Sequence, residues 1–249
     1  MYLWLYSDVA TNTSKLRSYK YKPSAPLPYG MRIAVFGATG RTGHPLVEQA
    51  IERGHDVIAF VRDPSGLPSA LREDDRVSVV TGDAYTGEGV ERAVAPGGDP
   101  VDAVVSVLGQ TAEGPDDLLT EAGRHMLAAM DRHGVSRFVT LVGAGVREEG
   151  ESVTLGGKVM GALLKLLARA ALEDARDHVD FVRASDARWT VVRGPRLTED
   201  AATDEYRHGT DLSLGMRDAA ARATVAAFVL DCLEEDRYVH EMPKIADGR

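Results

Sequence analysis

The stretch Met31-Arg-Ile-Ala-Val-Phe-Gly-Ala-Thr-Gly-Arg-Thr-Gly43 decides the reading of this chain. A short apolar run ends in three glycines spaced G-x-x-G-x-x-G, and a helix-like segment, Pro45 to Arg53, follows at once. Each piece has a physical job if the turn holds a pyrophosphate. The strand delivers the backbone to a tight turn that Gly37 allows. Gly40 removes a side chain where the backbone must approach the phosphates, and Gly43 lets the new helix pack close to the strand. Free N–H groups and the dipole at the helix start favour the phosphate charge. A glycine triplet alone is a weak signal. Here a strand precedes it, a helix follows, and a second apolar strand, Asp56 to Val61, completes a βαβ unit. In that context dinucleotide binding is the expectation, against a glycine-rich turn with no ligand.

The end of the second strand selects the dinucleotide. NAD sites usually place a carboxylate there for the ribose 2′-OH, while NADP sites need a cation for the 2′-phosphate. In Gly54-His-Asp-Val-Ile-Ala-Phe-Val-Arg-Asp-Pro64 the carboxylate position falls on Val61, and Arg62 follows. Arginine offers a planar fork of donors suited to phosphate, which favours NADP(H) over NAD(H). A register shift of two would put Asp63 in the acidic position, and both residues also read as solvated turn residues.

Size and composition set the bounds. A chain of 249 residues can bury one substantial core. Its 44% hydrophobic and 27% charged content is that of a soluble globular protein, and no apolar run approaches a membrane span. The single Cys232 rules out an internal disulfide framework and a cysteine-rich metal site, so a reducing cytoplasm is the expected setting. A net charge of −9 argues against nucleic acid as a main partner. Residues 1–30 differ in character from the rest: four basic residues against Asp8 alone, and Pro23, Pro26 and Pro28 near the end. They read as a disordered extension or an over-long start assignment, leaving 31–249 as the folded domain.

Beyond the second strand the alternation continues. Val77–Thr81, 101–108, 137–142 and 188–193 read as strands. Segments 87–95, 116–133, 158–182 and 216–233 read as helices, with Gly134 capping the second of these. Residues 198–214 read as polar and irregular. Strands apolar on both faces fit a buried parallel sheet, so the expectation is a Rossmann-like, doubly wound α/β domain with a small C-terminal substrate-side region. Ligands in such sheets bind outside the carboxyl ends of the strands, which singles out 37–43, 108–111, 142–158 and 194–198.

At this point the chain resembles a known group. G-A-T-G-R-T-G at 37–43, V-R-D-P at 61–64, V-T-G-D at 80–83, V-L-G at 107–109, H-G-V-x-R-F-V at 133–139 and W-T-V-V-R-G-P-R-L at 189–197 are similar to the atypical short-chain dehydrogenase/reductases. More narrowly they resemble the NAD(P)H-binding, NmrA-like branch that includes biliverdin-IXβ/flavin reductase, over about Met31 to Met242. The resemblance implies NADP(H) along Gly37–Gly43, with Thr39, Gly40, Arg41 and Thr42 in the loop, and Arg62 near the 2′-phosphate. It also implies Asp83 near the adenine and Leu108 and Gly109 beside the nicotinamide ribose. From the residues alone, Asp83 reads equally as a polar cap on the turn after a strand.

Ordinary short-chain dehydrogenases reduce carbonyls with a Tyr-x-x-x-Lys pair and a serine at the end of the fifth strand. None of the eight tyrosines here has lysine four residues later, and the serine position is Gly143. A ketone would lack a positioned acid, a contribution of about 10²–10⁴ in rate. Flavins, quinones and bilins need no such acid, because hydride addition leaves a delocalised anion that solvent can protonate. The expected function is therefore hydride transfer from NADPH to a planar conjugated small-molecule acceptor. A non-catalytic NADP(H) sensor of NmrA-like type, acting through a protein partner, is the alternative. On the acceptor side Gln110, Gly143, Lys158 and Arg196 are candidates, each also readable as a solvated loop residue. Glu148, Glu149 and Glu151 read as a solvated acidic loop. No His/Asp/Glu cluster has metal-ligand spacing.

Overall fold

Alternate residues of the first strand after Met31 already define two layers. Ile33 and Val35 face one cluster of buried side chains, with Leu46, Val47, Val225 and Phe228. Ala34 and Phe36 face another, with Met126, Met130, Val179 and Val182. That period-two alternation, apolar on both sides, belongs to a strand covered by helices on both faces. The computed structural model describes residues 19–20, 30–110, 114–148, 151, 168–203 and 205–248. The expectation for residues 1–30 lies outside these, apart from 19–20 and 30, as does Lys158.

In chain order the described strands are β1 (Tyr19–Lys20), β2 (Arg32–Phe36), β3 (Asp56–Val61), β4 (Val77–Thr81), β5 (Ala103–Ser106), β6 (Arg137–Gly143), β7 (Arg188–Gly194), β8 (Arg196–Thr198), β9 (Glu205–Gly209), β10 (Ala219–Ala221) and β11 (Lys244–Asp247). The helices are α1 (Gly43–Glu52), α2 (Ser69–Arg72), α3 (Val90–Val94), α4 (Leu118–His133), α5 (Arg169–Arg183) and α6 (Arg222–Glu234). The main sheet has the order β1-β9-β11-β7-β6-β5-β2-β3-β4. From β4 across to β11 neighbouring strands are parallel, while β9 runs antiparallel to β11 and to β1. This is a Rossmann-like, doubly wound α/β domain. Its strand order reverses at β2, which has β3 on one side and β5 on the other. A crevice therefore opens at the carboxyl ends of β2 and β5.

The C-terminal third departs from the sequence reading in three places. Residues 198–214 are not irregular throughout, because they carry β9. Its Glu-Tyr-Arg-His-Gly sequence hides the strand, since only Tyr206 and Gly209 are buried and the outer face is polar. The last helix begins at Arg222 rather than Met216, because Ala219–Ala221 pairs in parallel with Arg196–Thr198 instead. Finally, β11 inserts between β7 and β9 and extends the sheet beyond the segments read as strands.

Buried polar groups tie the elements together. Arg53 at the end of α1 donates to Asp231 (2.8 Å) and Glu234 (3.1 Å) on α6, and His55 Nε2 lies 2.8 Å from Glu234. Asp174 on α5 accepts the N–H groups of Leu119 and Thr120, both at 2.9 Å, and the Thr120 hydroxyl at 2.7 Å. A carboxylate from one helix thereby caps the N-terminus of another, where free donors and the dipole favour negative charge.

His178 lies buried between α5 and β6, 3.0 Å from the Thr140 hydroxyl. Burial pushes its pKa down from 6.5 to about 4. Between those values the unfolded chain binds a proton that the folded chain refuses, so stability falls on acidification through this window. At 1.36 kcal/mol per unit, roughly 2 kcal/mol should be lost from this group between pH 7 and pH 5. Urea titrations at the two pH values should show a larger loss for the wild type than for His178→Gln. Equal losses would remove His178 from the acid response.

Candidate functional site

The loop after β2 is as tight as its glycines suggest. Gly37 has φ +89°, and a Cβ there would lie 2.9 Å from the Val107 carbonyl carbon and 3.0 Å from the Leu108 nitrogen. At Gly43 a Cβ would sit 2.0 Å from the Gly37 carbonyl oxygen. The fold itself therefore requires both residues. Gly40 differs: an added Cβ would meet only the Gly37 oxygen, at 3.1 Å. Its outer side is open to a ligand. Thr42 caps α1 without a side-chain hydrogen bond, while in the first turn the His44 N–H donates to the Gly40 carbonyl (3.0 Å), the Leu46 N–H to the Thr42 carbonyl (3.2 Å), and Pro45 has no N–H. The open side of Gly40 and the dipole of the helix start suit a diphosphate.

Arg62 is the first residue after β3 and is exposed. The Asp63 carboxylate accepts the N–H (2.9 Å) and hydroxyl (2.7 Å) of Ser65. These hydrogen bonds hold its pKa below the ordinary value. His44 has a positional role: its Nε2 lies 3.0 Å from the Gly66 carbonyl and pins this turn to the start of α1. Asp83 stands two residues beyond β4, on the same edge as Arg62. Its Oδ1 caps the turn by accepting the Tyr85 N–H at 2.9 Å.

From the loop a cavity of about 510 Å³ runs across the carboxyl ends of β5, β6 and β7. It is lined by Gly40–Thr42, Val107–Gln110, Leu141–Gly143, Gly145, Val146, Gly194, Pro195 and Leu197, with Leu119, Ala168, Ala171, Leu172, Ala175 and Arg222 from the helical layers. The four loop segments singled out by topology thus meet in one place, the third through its described part. Gly143 is exposed, and nothing lies within 4 Å of where its side chain would be. Gln110 lines the cavity, but its amide nitrogen is committed to Asp174 (2.6 Å) and the Asp116 carbonyl (2.7 Å).

Arg196 is a correction. It belongs to strand β8 rather than a turn, and it is exposed and absent from the lining that its neighbours Pro195 and Leu197 form. Strand periodicity turns adjacent side chains to opposite faces. The cations that do line the wall are Arg41 of the glycine loop and Arg222, at the first position of α6, which no sequence pattern distinguished. Glu151 is another correction. Far from being solvated, it bonds Arg193 at 2.6 Å and also contacts Lys244. Arg193 is 0% exposed and donates to the carbonyls of Val146 (3.2 Å) and Met242 (2.9 Å). Burial works against the charge on Glu151, but its bonds to Lys244 and Arg193 outweigh this and lower its pKa. Neither partner is recognisable from sequence, because the pairing joins residues more than forty positions apart.

Comparison with known proteins now bears on the cofactor. A family model described as NAD(P)H-binding matches residues 37–236. The chain belongs to that NAD(P)H-binding family. Uncharacterized protein YwnB of Bacillus subtilis is 27% identical over 218 residues, 85% of this chain and 96% of that one. The chloroplastic divinyl chlorophyllide a 8-vinyl-reductase of Cucumis sativus is 29% identical over 254 residues, covering 97% of this chain but only 59% of the reductase. Among solved structures, a short-chain dehydrogenase/reductase from Veillonella parvula in complex with NADP superposes with a TM-score of 0.71 at 17% identity, over 87% of this chain and 94% of that one. ChuY, an anaerobillin reductase from Escherichia coli O157:H7, gives 0.69 at 20% identity, over 87% and 97%. Identities of this size show the common fold. For an NAD(P)H-binding protein of this architecture, a nicotinamide dinucleotide is the cofactor. Among the described residues no helix is long and apolar enough to cross a membrane.

Two substitutions test the site's construction. Gly43→Ala forces the loop apart, and NADPH affinity by calorimetry should fall at least roughly tenfold, the scale of one lost charge-assisted hydrogen bond. Unchanged affinity would show that the loop does not grip the cofactor. Glu151→Gln leaves Arg193 and Lys244 buried without their shared carboxylate and should cost about 3 kcal/mol in urea unfolding, as for one broken buried ion pair. A negligible loss would mean that Glu148, 3.7 Å from Arg193, suffices.

Proposed function

We propose that this NAD(P)H-binding protein is an NADPH-dependent reductase that passes hydride to a planar conjugated acceptor of flavin, quinone or bilin type. The observation that carries this reading is the cavity lining. Among the described residues its charged and polar side chains are those of Arg41, Thr42, Gln110 and Arg222, and the rest are apolar or glycine. A guanidinium, an alcohol and an amide are all poor proton donors near neutral pH. Reduction of a ketone to an alkoxide gains little from such walls. A conjugated acceptor spreads the incoming charge, and solvent can protonate it.

When bound, the dinucleotide supplies the hydride. The chain's own residues bind and orient. The main chain of Gly37, Thr39, Gly40, Arg41, Thr42 and Gly43 takes the diphosphate, Arg62 the 2′-phosphate, and Asp83 the adenine side. Leu108 and Gly109 flank the nicotinamide ribose, while Gln110 and Gly143 border the acceptor. The engagement of Asp63 with Ser65 supports NADP over NAD, as does the NADP complex of the Veillonella neighbour. The vinyl-reductase and the anaerobillin reductase support the acceptor class, since chlorophyllides and bilins are extended conjugated systems. An NADP(H) sensor would share the cofactor loop. The apolar cavity beyond that loop, which a dinucleotide sensor does not need, favours the reductase.

Oxidation of NADPH and NADH should be followed with riboflavin, FMN and simple quinones. Turnover above the uncatalysed rate is expected, with NADPH preferred. Tight cofactor binding with no turnover, and a protein partner bound according to redox state, would identify the sensor instead. Arg62→Ala should raise KM for NADPH about tenfold or more, the loss of a charge-assisted phosphate contact, and change KM for NADH little. Equal effects on both cofactors would remove Arg62 from 2′-phosphate recognition.

A further inference from the structure

Two guanidiniums at the cavity share one carboxylate of this chain. Arg222 Nη1 lies 2.8 Å from Glu199 Oε1, and Arg41 Nη1 lies 3.3 Å from the same oxygen. The three residues come from separate places: the glycine loop, the segment after β8 and the first position of α6. Their burial differs sharply. The Arg222 side chain is 13% exposed, whereas those of Glu199 and Arg41 are 61% and 75% exposed. The inner cation is thus held by its surroundings, and the anion on it is an exposed surface group.

We propose that this pair of arginines is a subsite for an anionic substituent, a carboxylate or phosphate, on the acceptor, and that Glu199 is a placeholder the ligand displaces. The inference rests on the reductase reading and narrows its substrate to acceptors with a planar apolar body and an acidic arm. Three observations carry it. The cavity walls are apolar, so Arg41 and Arg222 are the charges that meet a ligand there. One carboxylate between two guanidiniums leaves a net positive charge at this place. And the geometry already accepts a carboxylate, as the seated Glu199 demonstrates. Glu199 is itself 61% exposed, so its carboxylate returns to water at little cost when a ligand anion takes its place on Arg222. A ligand anion brought in by its own apolar body gains the arginine contacts in a less hydrated setting, where they are stronger. Arg222 opens α6 after β10 and Arg41 belongs to the glycine loop, so the pair joins two separate parts of the cavity wall.

The test compares two probes that differ in charge but hardly in shape, an anthraquinone carboxylate and the corresponding carboxamide. Their dissociation constants are measured on NADP⁺-saturated protein for wild type, Arg222→Gln and Glu199→Gln, together with NADPH affinity. The ratio of carboxamide to carboxylate Kd within each protein cancels general damage to the fold. It should fall about tenfold in Arg222→Gln, the scale of one charge-assisted hydrogen bond, and rise above the wild-type value in Glu199→Gln. Opposite movements are the signature of a clamp with an internal competitor; a merely structural pair would move both ratios alike or neither. A ratio that stays put in both variants overturns the inference. So does an Arg222→Gln effect confined to NADPH, which would assign the clamp to the cofactor's own phosphates, and so does a failure of both probes to bind. If the ratios move as expected while no acceptor is ever reduced, the anion subsite stands and the reductase reading alone falls.

Discussion

The rest of the structure depends on a contact between backbone and backbone at the start of α1. Without side chains at residues 37 and 43, the turn leaving β2 folds against the end of β5 and brings the first helical residue onto the Gly37 carbonyl. One methyl group at either position would collide with main-chain atoms, which cannot rotate away as a side chain could. The close approach aims the helix start at the crevice between β2 and β5, where strand order reverses. The glycines are therefore a fold requirement first and a ligand requirement second. Gly40, where a Cβ would meet only the Gly37 oxygen at 3.1 Å, is the least constrained of the three.

The cavity that opens from this crevice has apolar walls, yet carboxylates hold those walls in place. On one side Asp174 gathers the N–H groups of Leu119 and Thr120 and the Gln110 amide, fixing the connection from β5 to α4 against α5. On the other side Glu151 joins Arg193 of β7 to Lys244 of β11, and Arg193 in turn holds the Val146 carbonyl. Apolar packing alone would let two long connections settle in many ways. A buried charge has few acceptable positions, because leaving it unpaired costs several kcal/mol. The walls gain a defined shape from interactions that contribute little net stability.

The sequence was informative where local pattern and structure coincide. β3 and β4 ran over the residues their Val- and Ile-rich patterns indicated, and Gly134 caps α4 in the left-handed conformation at φ +71°. Those features are set by neighbours within a few positions. Legibility ended where pairing over distance decides. β9 is stabilised by β11, which follows it by 35 residues and itself lacks a period-two signature, so neither strand announces itself. Arg196 looked suited to the acceptor only while its segment was read as a turn; as a strand residue it faces away from Leu197. Glu151 resembled its acidic neighbours in composition, and nothing short of the folded sheet shows that two cations converge on it. The Asp83 carboxylate follows the plain reading as a turn cap, and that reading needed only residues 83 to 85.

These assignments constrain what chemistry the cavity can host. Three carboxylates near it have a prior commitment: Asp174 to a helix N-terminus and an amide, Glu151 to two buried cations, Glu199 to two arginines. The bonds from Lys244 and Arg193 hold the Glu151 pKa below its ordinary value, so this group is poorly suited to release and regain a proton near neutral pH. The one strongly shifted histidine in this part of the fold, His178, is sealed beneath β6 in its neutral state. Under the proposed reductase reading, the contribution of these walls is to hold two reactants face to face, a term that grows as the walls become more rigid. Apolar walls fixed from behind by carboxylates such as Asp174 and Glu151 meet that demand.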